Sequence, residues 1–151
     1  INNSEPKLIE YNIRFGDPEC QVLMMRLKSD LLKIIQSTLN KTLDKINIKW
    51  IKEYCITVVA ASKGYPEKFE KYKEIKKIGD IKQDSSQQIF QASTIKDKQG
   101  RVYSNGGRVL SATVINSSLE DARNRALKML DNLEWENKYY RRDIGYKVIK
   151  K

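Results

Sequence analysis

The sequence predicts an α+β protein in two pieces: a strand leading into helices, then a mixed β-sheet domain covered by one helix. Three observations carry this. An alternating segment, Ile9-Glu10-Tyr11-Asn12-Ile13-Arg14, runs into a helical repeat of apolar residues. A run rich in Val, Ile, Thr and Ala, from Tyr54 to Ser62, heads a series of short strand candidates separated by glycine turns. An amphipathic helix follows the last of these strands, and strands closed by a helix give a sheet with one covered face.

The first strand, Lys7 to Arg14, has a period of two, which sets Glu10, Asn12 and Arg14 on one face and their apolar neighbours on the other. A carboxylate and an amide oxygen two residues apart suit a hard cation such as Mg²⁺, and an arginine one step along reaches the phosphate oxygens that such a cation bridges. The strand therefore reads as one wall of a nucleotide-phosphate site. The blander alternative is an amphipathic strand whose polar face meets only water. Next comes Phe15-Gly16-Asp17-Pro18-Glu19, in which Gly16 permits a tight turn, Asp17 is a suitable N-cap and Pro18 suits the first helical position. Leu23, Leu27, Leu31, Ile34 and Ile35 then repeat at helical spacing, so residues 18–39 read as helical, with a break near Ser29, which would cap a second helix. The polar, basic stretch from Asn40 to Lys52 crosses to the second piece. This sets a boundary between residues 1–48 and 49–151.

In the second piece, Tyr54 to Ser62 reads as a buried strand ended by a turn at Gly64. Shorter strands are predicted at Glu74 to Ile78, Ile89 to Ser93 and Arg101 to Ser104, with Asp97-Lys98-Gln99-Gly100 as a hairpin connection between the last two. Asn105-Gly106-Gly107-Arg108 precedes a strand from Val109 to Ile115. A glycine pair there is either a phosphate-cradling loop or, more commonly, a hairpin turn. Ser117 with Glu120 makes a capping box for the last helix, whose stripe is Leu119, Ala122, Ala126, Met129, Leu130 and Leu133, with Arg123, Arg125 and Lys128 off it. In the tail from Tyr139 to Tyr146, arginines paired with Asp143 and tyrosines closing the sheet edge compete with a ligand role.

Composition limits the function classes. The chain has 151 residues, too few for a complete two-substrate ligase, and its opening on Ile1 is the expected look of a fragment. No apolar run approaches the roughly 20 residues of a membrane-spanning helix and no signal peptide is recognisable, so a soluble cytoplasmic protein is expected. Cys20 and Cys55 have no metal-ligand spacing and read as free thiols. There is no histidine, which excludes Ser/His and Cys/His dyads and histidine-held zinc, so any metal here would have oxygen ligands. The net charge of +10 invites a nucleic-acid reading. Its distribution argues against one: the densest stretch, Lys63 to Lys82, is interleaved with Glu67, Glu70, Glu74 and Asp80, a mixed-charge surface. Recognisable RNA-binding signatures are missing too.

The runs I-E-Y-N-I-R-F-G-D-P-E, Q-V-L-M-M-R-L-K-S-D-L-L, G-Y-P, N-G-G-R-V-L and Y-Y-R-R-D-I-G-Y, in that order along nearly the whole chain, resemble the C-terminal third of the phosphoribosylamine–glycine ligases, members of the ATP-grasp superfamily. The resemblance implies that residues 1 to about 48 are the end of an ATP-grasp core and that the rest is the family's separate C-terminal domain. It implies the family's reaction in purine synthesis: ATP phosphorylates glycine to glycyl phosphate, and the amine of 5-phosphoribosylamine attacks its carbonyl. Carried over by position, Glu10 and Asn12 match the Mg²⁺ (or Mn²⁺) ligands. Arg14 would steady the transferring phosphoryl group or the acyl phosphate, and Asp17 would cap its helix or orient the amine. Arg108 is a candidate for the substrate phosphate. The implied partners are ATP, glycine, 5-phosphoribosylamine and the N-terminal part of the same enzyme, in a monomer that binds neither nucleic acid nor membrane. The chain departs from the family pattern at Cys20, where threonine is common, and at Lys63, where glycine is common; neither touches the proposed metal ligands.

The alternative is a stand-alone basic module using Arg141, Arg142 and the lysine-rich loop against a polyanion, nucleic acid included.

Overall fold

The computed structural model describes residues 6–149. Its centre is a four-stranded sheet in the order β3 (Gln87–Gln91), β6 (Arg108–Asn116), β1 (Tyr54–Ser62), β8 (Lys138–Tyr139). Each of its pairings is antiparallel, so the sheet is antiparallel throughout. Period-two alternation along β1 and β6 gives the sheet two unlike faces. Ile56, Val58 and Ala60 with Leu110, Ala112 and Val114 form an apolar face, and all are buried. The helix α3 (Leu119–Asp131) lies on it through Ala122, Ala126, Leu127 and Leu130, completing one hydrophobic core. The opposite face carries Thr57, Val59 and Ala61 paired with Thr113, Ser111 and Arg108, and the Thr57 and Thr113 hydroxyls are 2.8 Å apart. Against this second face packs α1 (Glu19–Arg26).

Two small ribbons extend the domain. The ribbon of β2 (Ile75–Lys76) and β7 (Glu134–Trp135) seats Ile75 opposite Trp135, both buried. A second joins β4 (Thr94–Lys96) to β5 (Val102–Ser104). The hairpin at 97–100 is real, but it links β5 to β4, a strand the sequence reading missed, and not to the strand beginning near 89, which pairs with β6 instead. Asp97 builds the turn: its Oδ1 accepts from the backbone N–H of Gln99 and Arg101 and its Oδ2 from the Arg101 guanidinium, while Gly100 takes the left-handed φ of 85°. Gly106 and Gly107 are not a hairpin turn either, since they carry the chain from the β4–β5 ribbon into the main sheet. Gly64 does make the predicted turn, with φ of 98°.

The N-terminal piece departs further from expectation. Residues 7–14 form no strand, because no other described strand offers them a ladder, and their side chains stand exposed. The helical stretch does break near Ser29, into α1 and α2 (Leu31–Leu39), but with a different cap. Leu27 leaves the helix to bridge Trp50, and the N–H groups of Lys28 and Ser29 both donate to the Lys49 carbonyl. Ser29 is therefore not the cap: its Oγ accepts from Lys49 N at 2.7 Å, and Asp30 caps α2 by accepting from Leu32 N and Lys33 N. Pro18 sits at the N-cap of α1 with no side-chain cap bond, so Asp17 does not serve as the predicted cap. In α3 the cap is Ser118, which accepts from Asp121 N, and not Ser117. The shift by one arises at Asn116, whose Oδ1 accepts from Ser118 N and Ser117 Oγ and so ends β6 in its own turn. No helix among the described residues is long and apolar enough to cross a membrane.

Candidate active-site wall

Glu10 and Asn12 point to the same side although no sheet holds them: Asn12 Nδ2 donates to Glu10 Oε1 at 2.9 Å, and both side chains are exposed. An extended backbone brings residues two apart together, and the amide–carboxylate bond keeps them there. Arg14, two residues on, donates from Nη1 to the Phe15 carbonyl at 2.9 Å. Among the described residues there is no group of three or more His, Cys, Asp or Glu able to hold a metal, so a cation here would take one carboxylate and one amide oxygen from this chain. That hard-oxygen pair fits Mg²⁺ or Mn²⁺, which are commonly held by one or two carboxylates together with substrate phosphates and water.

Asp17 and Arg108 lie 91 positions apart in sequence and meet across the second face of the sheet. Arg108 Nη2 pairs with Asp17 Oδ2 at 2.9 Å, and Arg108 Nη1 donates to the Asp17 carbonyl at 3.0 Å. Gln21 Nε2 also reaches Asp17 Oδ1, at 3.4 Å, while Gln21 Oε1 is buried without a partner. Gln21 went unnoticed in the sequence; the available signal was its place one helical turn after Asp17. Beside the ion pair is a groove of about 230 Å³, floored by Thr57, Val59 and Ala61 and rimmed by Tyr65, Arg108 and Arg141.

Both glycines before Arg108 are there for close approach. A Cβ on Gly107 would stand 2.0 Å from the Tyr65 ring and one on Gly106 2.6 Å from the Ser93 side chain. The pair turns carbonyls toward β1: Ser62 N donates to Gly107 O and Ser62 Oγ to Gly106 O. These bonds support a packing role for the glycines rather than a phosphate cradle.

The tail is held by charge pairs. Arg141 grips Asp143 with two parallel N–H bonds of 3.0 and 2.8 Å. Arg142 pairs with Asp131, which also accepts from the Tyr140 hydroxyl. Burial, reinforced by that hydrogen bond, pushes the Tyr140 phenol up to about 12. Burial likewise lowers the Lys138 ammonium, whose Nζ donates to the carbonyls of Leu130, Asp131 and Leu133 and so closes the C-terminus of α3. In the lysine-rich loop, Lys73 pairs with Glu70 and Glu136, and Lys77 with Glu134. Cys20 and Cys55 are free, and burial raises the Cys55 thiol to about 11, which keeps it protonated and unreactive.

This arrangement, an antiparallel sheet with a helix on one face and a docked helix with a clamped turn on the other, places the chain among α+β domains that carry an N-terminal segment across the sheet. Residues 55–147 match the family described as phosphoribosylglycinamide synthetase, C domain, and the chain belongs to that family. Relatives extend the likeness over the N-terminal piece. A phosphoribosylamine–glycine ligase of Agrobacterium fabrum is 47% identical over 149 residues, covering 99% of this chain and 34% of the relative. A chloroplastic phosphoribosylamine–glycine ligase of Arabidopsis thaliana is 42% identical over 146 residues, covering 96% of this chain and 27% of the relative. The crystal structure of a phosphoribosylamine–glycine ligase from Thermotoga maritima superposes with a TM-score of 0.68 at 29% identity, over 93% of this chain and 34% of that one. The chain thus spans about a third of the length of these proteins.

Proposed function

We propose that this chain is the C-terminal part of an ATP-dependent ligase that joins glycine to 5-phosphoribosylamine, giving glycinamide ribonucleotide, ADP and phosphate. The observation that carries the reading is the end-to-end similarity to relatives of that name, at up to 47% identity over 149 residues. Within it, residues 1–48 close an ATP-grasp core and residues 49–151 form the separate C-terminal domain. Residues 1–5, 150 and 151 lie outside the described residues.

Glycine's carboxylate oxygen takes the γ-phosphoryl group of ATP, releasing ADP and leaving glycyl phosphate. The phosphoribosylamine nitrogen then attacks the carbonyl carbon, loses a proton and expels phosphate. Glu10 and Asn12 would hold Mg²⁺ or Mn²⁺, which when bound neutralises charge on the β- and γ-phosphate oxygens. Arg14 supplies a fixed cation for the transferring group, and its guanidinium exchanges the Phe15 carbonyl for phosphate oxygens, a stronger charge-assisted contact. The substrate-phosphate role for Arg108 has less support, because Asp17 already engages Nη1 and Nη2. Turnover needs the walls that the remaining two thirds of the relatives' length supply, since catalysis by positioning requires both sides of a cleft.

The basic binding module is not favoured, because Arg141, Arg142, Lys73 and Lys77 are each paired with a carboxylate. The test is Glu10→Ala in the complete protein. Loss of a metal ligand is expected to lower kcat by about a thousandfold, on the order of 4 kcal/mol of transition-state stabilisation. Thermal stability should stay within about 1 °C, since Glu10 is exposed. Normal turnover in this variant would remove Glu10 from the site.

A further inference from the structure

Three features of the structure converge on Arg108. Its fork binds one residue twice, the Asp17 carboxylate through Nη2 and the Asp17 carbonyl through Nη1, which fixes both the side chain and the peptide plane of the turn. A bulge in the sheet aims it: the β1–β6 register slips between Ala60 and Ala61, so that Arg108 rather than Val109 stands opposite Ala61. Its backbone approach is pinned by Ser62, which holds the carbonyls of Gly106 and Gly107, with the Tyr65 ring seated against Gly107.

A half-exposed ion pair of this kind contributes little stability, about 0–1 kcal/mol. The gain from the contact is orientation. The peptide it grips lies three residues after Arg14 in a segment with no sheet ladder of its own, while the anchor stands on the best-packed strand of the molecule.

We infer that Arg108 is a positioning residue: through Asp17 it clamps the turn at 15–18 to the sheet and so sets where Glu10, Asn12 and Arg14 stand, and it does not itself hold the substrate phosphate. The catalytic consequence rests on the ligase reading; the clamp does not.

The experiment is a double-mutant cycle in the complete protein, Asp17→Asn, Arg108→Met and both together, with Arg108→Lys as the conservative variant. Each single substitution should lower kcat about ten- to a hundredfold, as loss of groups that orient metal ligands does. Each should also raise the Mg²⁺ concentration for half-maximal rate and leave the KM for phosphoribosylamine within twofold. The double variant should be no worse than the worse single, and Arg108→Lys, which keeps the charge but loses the fork, should fall between wild type and Arg108→Met. Additive losses, or a loss confined to the KM for phosphoribosylamine, would overturn the assignment. In parallel, hydrogen exchange on this 151-residue chain reads the clamp without turnover. The Cys20 amide, bonded to the Gly16 carbonyl at 2.9 Å, should exchange faster in both singles and no faster again in the double. Unchanged exchange in the singles would refute the clamp. Coupled exchange alongside a wild-type complete protein that makes no ADP would uphold the clamp and discard the ligase reading.

Discussion

α2 and α3 carry the same kind of apolar repeat, yet they end in opposite environments. In α3, Ala122, Ala126 and Leu130 are completely buried against the sheet. In α2, Leu32, Ile35 and Leu39 are 62, 48 and 77% exposed, and the described residues before Ile56 are at most half-buried. A helical stripe states that one face is suited to burial; it does not state what will cover it. The difference separates a domain that completes its own core from a segment tied to that domain by few contacts, among them the Asp17–Arg108 pair, the Leu27–Trp50 bridge and the packing of α1.

Substitution at matched positions is the strongest way to break this comparison. Leu130→Ala should cost about 3 kcal/mol in urea denaturation of this chain, from lost burial and an incompletely collapsed cavity, whereas Leu32→Ala should stay within about 0.5 kcal/mol. Equal effects would mean that α2 has a hidden partner. Next in size is Gly107→Ala, whose Cβ would meet the Tyr65 ring at 2.0 Å and should cost about 1–3 kcal/mol, with an altered Tyr65 signal by NMR. A smaller loss, about 1 kcal/mol, is expected for Lys138→Met, which removes the donor closing the last turn of α3, and thermal unfolding reads it.

The smallest effect is pH-dependent and belongs to the domain side. Hydrogen bonds from Ser86 hold Asp84 below the usual carboxylate range, and the guanidinium of Arg141 does the same for Asp143. Their folded pKa values lie below the unfolded ones, so the unfolded chain binds more protons in acid. The stabilisation is present above the unfolded value, near 4, and is lost as pH falls through the folded values. The urea midpoint should therefore drop between about pH 5 and pH 3, less steeply in Asp84→Asn; an identical slope would exclude Asp84 as a contributor.

The domain was legible in the sequence because its signals are local and self-consistent. The Tyr54–Ser62 run became β1 residue for residue, and the predicted stripe of α3 lines the core apart from the half-buried Leu119 at its start. The errors have specific causes. The caps of α2 and α3 each moved by one residue because a neighbouring polar group, Lys49 N–H for Ser29 and Asn116 Oδ1 for Ser117, claimed the expected hydroxyl. At only three residues, β4 was too short to show a period. The meeting of the Glu10 and Asn12 side chains was legible because alternation places residues two apart on one side. The Asp17–Arg108 contact was not, since neither residue carries a local sign of a partner 91 positions away and both have respectable local roles. The strand expected at residues 7–14 failed for a related reason: alternation proposes a strand, but only a neighbouring edge makes one.

The most direct test of the account is ADP formation from ATP with glycine and freshly generated phosphoribosylamine, comparing this chain with the same chain preceded by its natural upstream sequence. Turnover is expected only in the longer protein, dependent on both substrates and on Mg²⁺ or Mn²⁺. A longer protein that forms no ADP with both substrates present, or ADP formation by the 151-residue chain alone, would contradict it.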